Sequence, residues 1–545
     1  MVLETILDLE KAFRRVQQDK RDDPWPDVVG YRDYRPRLQE NIEELAGRIA
    51  EHARYTAGAP LGIDLPKRGF TLRPGIVPLL QDRIVYQGIS DFLAPYFNPE
   101  PCVYNNRLSA DQNSSRMFVH GVRLWLEFQE AVAERCHQYA WVVETDLTAY
   151  FEHIRHDLLL SRIDDLFRDS VDRQVLGAIQ ELLGRLWSRW SGGVVPCGVP
   201  QMNDASSFFA NVYLDEFDKW MLRNGYEYVR YVDDMRVFAE TEPGARRALA
   251  DLIRQLRAAG LYVGSSKTHI RESRAVLDGL GEGRHRIEEI EADLQSGARE
   301  RMDDAASKLV SFFDEITAEG TPLNDRHFRY CINRFKRLRA SGLAEHAHDH
   351  VTDNVLGRLE SMPDSADVFV DYLSLFPRSE EVQLAVLDFL DGAYNIYPWQ
   401  EMTLLELLAR ADIAPSCLDR TLAVARSSAS VGRHPACRAK ALTLWGKNGD
   451  YADRREIRSG YDGEAREDIR RAIVVAIQEM QTSERDNFYR RVVSGSQGVG
   501  RTAEYVQSLP EPTYHYYNPP RGYDLLEVYE DSDDLDDLSD EHLVY

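Results

Sequence analysis

The run from Tyr226 to Ala239, Tyr-Glu-Tyr-Val-Arg-Tyr-Val-Asp-Asp-Met-Arg-Val-Phe-Ala, constrains this chain more than any other stretch. Two β-prone segments, 226–232 and 235–239, flank the adjacent carboxylates Asp233 and Asp234. So short a connection folds back only as a tight antiparallel hairpin with both acids at its tip. Neighbouring carboxylates repel each other, so such a tip persists only if water solvates it or a cation neutralises it. Taken alone, a solvated turn is the simpler outcome.

The surroundings favour the other outcome. Strand and helix signals alternate here: a strand over 139–146, a helix over 156–187, a Gly/Pro loop over 191–200, a helix over 205–223, the hairpin, and a helix over 244–258. That is an α+β pattern with antiparallel strands. Upstream, amphipathic stretches at 5–18 and 38–55 precede a basic, Pro/Gly-punctuated segment at 63–82. Beyond about residue 285 the strand signals stop, and nearly every stretch to 489 reads as a helix. The segments 434–445 and 464–477, with 381–390 as a weaker copy, each join a small apolar face to an opposite polar one. They fit HEAT-type repeats, whose helices need neighbours to cover their apolar faces, and equally an ordinary bundle.

Composition narrows the class. A chain of 545 residues with 43% hydrophobic content exceeds one core. Its mean hydropathy of -0.45 and its lack of an 18-residue apolar run argue against a membrane span. The acidic N-terminus does not resemble a secretory signal. Six cysteines without paired spacing predict reduced thiols, no zinc site and a cytoplasmic protein. The net charge is -24, but Gly522 to Tyr545 holds ten acids and no Lys or Arg. A basic cleft elsewhere can still bind nucleic acid, because a phosphate feels the field within about a Debye length, ~8–10 Å.

Three further segments bear chemistry. Residues 142–151, Val-Val-Glu-Thr-Asp-Leu-Thr-Ala-Tyr-Phe, end an apolar strand at Asp146 and bring Phe151 five residues later. Alone, Asp146 reads as a helix N-cap. Facing Asp233 and Asp234 from a neighbouring strand, it would instead help to bridge two Mg²⁺ ions. Gly198-Val-Pro-Gln-Met-Asn-Asp-Ala-Ser-Ser-Phe-Phe-Ala-Asn211 delivers Gln201 from a loop and launches a helix through Ser206 and Asn211. Leu256 to Thr268 reads as a helix stopped by glycine, then a short strand ending in Lys267.

In this order and at these separations, the four segments resemble motifs A to D of reverse transcriptases. Leu65-Pro-Lys-Arg-Gly-Phe-Thr-Leu-Arg73 through Asp82-Arg83 resembles the fingers segment of bacterial members. The resemblance covers roughly residues 10–275. It implies a right-hand fingers/palm fold with an antiparallel sheet over 1–275, then a thumb-like helical segment over 276–345. An all-α HEAT-like domain over 346–495 and a disordered Pro/Tyr-rich, acidic tail over 496–545 complete the expected organisation.

By the same resemblance Asp146, Asp233 and Asp234, with the Leu147 backbone carbonyl, hold Mg²⁺, or Mn²⁺ in its place. Lys67 and Arg73 grip the triphosphate, Phe151 is the gate against ribonucleotides, Gln201 contacts the nascent pair or template, and Lys267 protonates the leaving pyrophosphate. Asp82-Arg83 is read as an internal fold-holding pair. Met202 and Ser207 depart from the family's usual glycine and proline.

The helical half is similar to that of defence-associated, abortive-infection-type reverse transcriptases. The implied activity is RNA-directed or template-independent DNA synthesis from dNTPs in antiphage defence. Its partners would be an RNA template or noncoding RNA, the DNA product, and a second copy or partner protein; no membrane is involved. The alternatives are a retron-like or otherwise domesticated enzyme, and a catalytically idle RNA-binding scaffold. Two features remain: a basic, aromatic-laced helix at 327–339 suited to a phosphate backbone or to a repeat's outer face, and a tail whose tyrosines suit protein priming, whose acids suit occupying a basic cleft at rest, or which does neither.

Overall fold

The computed structural model describes residues 3–516 except 21–22, 112, 192–195, 282–283, 297, 319–322, 324, 341 and 343–344. Two antiparallel sheets organise the first half. Strands β1 (Leu61–Pro66) and β2 (Leu72–Val77) form a fingers hairpin. Strands β3 (Trp141–Asp146), β4 (Glu227–Tyr231), β5 (Asp234–Ala239) and β6 (His269–Glu272) form the palm sheet, in the order β4-β5-β3-β6. Alternation sends Val143, Met235 and Val237 into a core shared with the helices Asp204–Arg223 and Glu242–Ala258. Val142, Val229, Tyr231 and Phe238 face the other way, against the helix Gly121–Gln138.

The expected α+β order holds, with local corrections. The helix expected over 156–187 is two, His156–Phe167 and Arg173–Trp190, because Asp172 caps a new helix by accepting from the N–H groups of Gln174 and Val175. Lys267 does not end a strand. It closes a single turn, Ser265–Lys267, ahead of β6. Asp82 and Arg83 are both internal but have separate partners: Asp82 accepts from Tyr55 at 2.6 Å, and Arg83 pairs with Asp19 at 2.9 Å and Asp23 at 2.5 Å.

The second half is a two-layer helical stack. Asp325–Ala340, Ala366–Leu373, Pro398–Arg410, Pro435–Asn448, Glu467–Ala476 and Gln497–Ser508 each pack on the next. His348–Leu356, Glu380–Asp391 and Leu418–Ala429 pack successively in a second layer. Nearest-neighbour packing of this kind is the repeat arrangement, not a bundle about one axis.

The stack is fused to the fingers through one core. Trp25, Val29, Ile63, Leu65 and Val77 share a buried cluster with residues such as Leu405, Leu444 and Val474. His434 bonds the Gly62 carbonyl at 3.1 Å and lies 5.5 Å from the Trp25 ring. Arg471 pairs with Asp27 and, at 2.9 Å, with Asp33.

Two expectations for the helical half are corrected. In Asp325–Ala340, Arg334 is 3% exposed and meets Glu291 at 2.5 Å, while Lys336 is 7% exposed and stands 3.9 Å from Asp371. Arg334 and Lys336 are thus turned into the protein rather than toward a phosphate backbone. Ordered chain also extends into the expected tail: Gln497–Ser508 is helical, and buried Tyr514 donates to Glu479 at 2.8 Å. The acidic segment and Tyr517, Tyr523, Tyr529 and Tyr545 lie outside the described residues. All six cysteines are free thiols. No helix among the described residues is long and apolar enough to cross a membrane.

Candidate active site

The palm site begins with strand register. β3 and β5 pair Asp146 with Asp234 and Glu144 with Arg236, so these four side chains share one sheet face. β4 and β5 close on Tyr231 and Asp234, leaving Val232 and Asp233 as a two-residue turn. Val232 takes a φ of 53°, a left-handed conformation that a β-branched residue rarely adopts.

Backbone bonds join this turn to the end of β3. The Leu147 N–H donates to the Asp233 carbonyl at 3.3 Å, and the Gly264 N–H donates to the Asp146 carbonyl at 2.9 Å. The next helix starts only at Tyr150, after Ala149 at φ 49°, so Asp146 is no N-cap. Its carboxylate instead pairs with Lys267.

Asp233 is half-buried in the turn. Burial, then the Asp146 carboxylate, pushes its pKa up to about 8, with Asp234 adding to the rise and Lys267 opposing it. Lys267 Nζ lies 2.7 Å from Asp146 Oδ2. Asp234 is gripped by Arg236, which also reaches Glu144 at 3.3 Å; Arg271 meets Glu144 at 3.2 Å. Among the described residues, no three acidic, His or Cys side chains converge as a ready-made metal seat. Asp146 and Asp233 are nevertheless hard oxygen donors whose mutual repulsion a divalent cation would relieve, and this donor set suits Mg²⁺.

The fingers hairpin lies within electrostatic reach of the same turn. Lys67 closes β1, and its N–H donates to the Thr71 carbonyl at 2.8 Å. Water reaches its side chain, yet surrounding protein lowers the ammonium pKa, burial first and Arg73 next. Glu152, Lys267 and Asp233 also contribute to that shift, so hairpin tip and palm turn share one electrostatic field. Arg73, on β2, pairs in register with Leu65 of β1.

Phe151 lies in the short helix Tyr150–His153, half-buried, its ring 5.4 Å from that of Tyr150. Its carbonyl accepts the Val199 N–H at 3.0 Å, which straps the Gly/Pro loop to the end of the palm strand. Gln201 follows in that loop, half-buried, and Met202 next to it takes a φ of 60°. Asn203 then caps the helix Asp204–Arg223, accepting from the Ser206 N–H at 2.8 Å.

Sequence reasoning missed the charges behind the site. Arg230 and Asp218 form a fully buried pair at 2.7 Å, and Arg236 engages Asp234. One signal was available: alternation along β4 points Arg230 to the same side as Tyr228, into the core.

Residues 65–286 match the family model described as reverse transcriptase (RNA-dependent DNA polymerase). Protein YkfC of Escherichia coli (strain K12) is 27% identical over 166 residues, which covers 29% of this chain and 39% of that protein. The chain thus matches well under half the length of this curated relative. A structure of apo telomerase from Candida Tropicalis aligns at 11% identity and a TM-score of 0.31, covering 71% of this chain and 74% of that one. With the matched fingers and palm segments in place, the chain carries a reverse transcriptase domain.

Proposed function

We propose that this chain is an RNA-directed DNA polymerase in which Asp146 and Asp233 form the core of the nucleotidyl-transfer site. One observation carries the reading: Asp146 and Lys267 pair at 2.7 Å and both act on the charge of Asp233, while Asp233 and Lys267 act on that of Lys67, so four separate segments meet in one electrostatic neighbourhood. Asp146 and Asp233, with Asp234 and the Leu147 carbonyl beside them, would hold Mg²⁺. When bound, Mg²⁺ supplies charge to the primer hydroxyl and to the triphosphate oxygens.

The chain's own groups do the rest. Lys67 and Arg73 hold the triphosphate as cations on a rigid hairpin. The Phe151 ring excludes a 2′-hydroxyl, which selects dNTPs. Gln201 contacts the nascent pair from a loop that the Phe151 backbone fixes. Lys267, whose Nζ lies within hydrogen-bond distance of Asp146, delivers an Nζ proton to the leaving pyrophosphate.

The helical stack supports assigning the enzyme to the defence-associated group, acting with a nucleic-acid partner. A second reading, an idle RNA-binding scaffold, is favoured by one observation: Asp146 and Asp234 already have cationic partners, Lys267 and Arg236. Incorporation of dNTP and rNTP by purified protein, with and without co-purifying RNA, separates the two. Mg²⁺-dependent dNTP incorporation that disappears in Asp233→Ala/Asp234→Ala supports the polymerase. Equal incorporation by the double variant sinks it, and RNA retention without synthesis supports the scaffold.

A further inference from the structure

Behind the Val232-Asp233 turn lies a guanidinium with no solvent access to speak of: Arg230 is 1% exposed. Its Nε and Nη2 donate to the Asp218 carboxylate at 2.8 and 2.7 Å. Its Nη1 donates to Asn211 Oδ1 at 3.0 Å, Asn105 Oδ1 at 3.3 Å and the Val232 carbonyl at 3.2 Å. Asn105 in turn donates to Asn211 at 3.1 Å. Three elements therefore converge on one fork: β4, the helix Asp204–Arg223 and the segment around Asn105.

A buried ion pair is a poor way to stabilise a fold, since apolar side chains of similar volume do as well or better. This pair has another task in reach. Val232 holds a left-handed backbone that its branched side chain disfavours, and such a conformation persists only where the surroundings over-determine it. The Arg230 bond to the Val232 carbonyl is the constraint that comes from behind. The Leu147 bond to the Asp233 carbonyl is the one that comes from the side.

We propose that Arg230 is a positioning residue: through the Val232 carbonyl it locks the turn so that the Asp233 carboxylate is presented to Asp146. Asp218 fixes the orientation of the guanidinium, and Asn105 and Asn211 aim Nη1 at the carbonyl. This inference rests on the polymerase reading and names the support that the site requires. Arg230 touches no substrate in it.

The test uses the full-length chain, with Arg230→Lys, which keeps the charge beside Asp218 but lacks the fork. Asn211→Ala is the second variant, and leaves the Arg230–Asp218 pair whole. Mn²⁺ binding is read by electron paramagnetic resonance, and kcat and KM for dNTP are measured alongside thermal unfolding. Both variants are expected to weaken Mn²⁺ binding, Arg230→Lys by about 10-fold or more. The kcat of Arg230→Lys should fall by about 10- to 100-fold, with KM for dNTP within about twofold.

Unchanged Mn²⁺ affinity and kcat in a folded Arg230→Lys overturns the proposal. If that variant does not fold, unchanged values in Asn211→Ala overturn it. Loss of dNTP binding in parallel with kcat points to general disruption and overturns it too. Failure of the polymerase reading looks different: wild type and Asp146→Asn then behave alike in both assays.

Discussion

Lys267 Nζ stands 2.7 Å from Asp146 Oδ2, so the side chain expected to give up a proton also balances the strand-end acid. The lysine is 62% exposed on its side chain and the aspartate 18%, so the pair itself adds at most about 1 kcal/mol to stability. Its weight is functional. Lysine and a divalent cation compete for the same carboxylate oxygen.

That competition gives a divided expectation for Lys267→Ala. Divalent-cation affinity should tighten by a few-fold while dNTP incorporation falls by about 100-fold, the usual scale for losing a general acid. Calorimetric Mg²⁺ titration beside a single-turnover assay measures both. A variant with full activity removes Lys267 from the mechanism.

Asp233 sets a pH dependence with a definite sign. Its pKa is raised to about 8 in the folded chain, above the ordinary carboxylate value of about 4. Between those values the folded state holds a proton that the unfolded chain has lost. Stability therefore declines as pH rises from about 4 to about 8, then levels. Asp233→Asn, which mimics the protonated acid, should erase this component. Thermal unfolding of both proteins in metal-free buffer from pH 5 to 9 tests it, and parallel curves count against the assignment.

Phe151 is expected to decide sugar choice. Phe151→Ala should raise rNTP use relative to dNTP by on the order of 10- to 100-fold, the scale of a lost steric discrimination in a pocket. The kcat/KM ratio for the two nucleotides is the measure. An unchanged ratio relocates the gate.

Arg471 clamps the helical stack to the N-terminal segment through Asp27 and Asp33. Arg471→Ala strands two buried carboxylates and should cost about 3–5 kcal/mol. Arg471→Lys should recover little, because one ammonium cannot reproduce the fork. Chemical denaturation with limited proteolysis of the 1–275 half follows the loss.

The palm was legible in the sequence because its signals are local. Two β-prone runs around Asp233-Asp234 can only form a hairpin, and an apolar run ending at Asp146 can only supply the strand beside it. What was hidden depends on distant partners. Nothing near Arg334 announces Glu291, so a helix that read as a basic surface is an internal one. Asp172 cut the helix expected over 156–187 through a cap worth about 1 kcal/mol, below what periodicity resolves. Tyr514 read as tail because Pro-rich composition ignores the pocket beside Glu479. Asp146 and Asp234 lie opposite each other beside the Asp233 turn, but the sequence did not reveal that Arg236 engages Asp234.

The role of Asp233 in nucleotidyl transfer is tested most directly by labelled dNTP incorporation, with Mg²⁺, by wild type and by Asp233→Asn at matched thermal stability. Because asparagine copies the size and hydrogen bonding of the protonated acid, the fold should survive the change. Wild type should incorporate the nucleotide and the variant should lose about 1,000-fold or more, on the scale of losing a central electrostatic group. Equal incorporation by the two proteins would contradict that role.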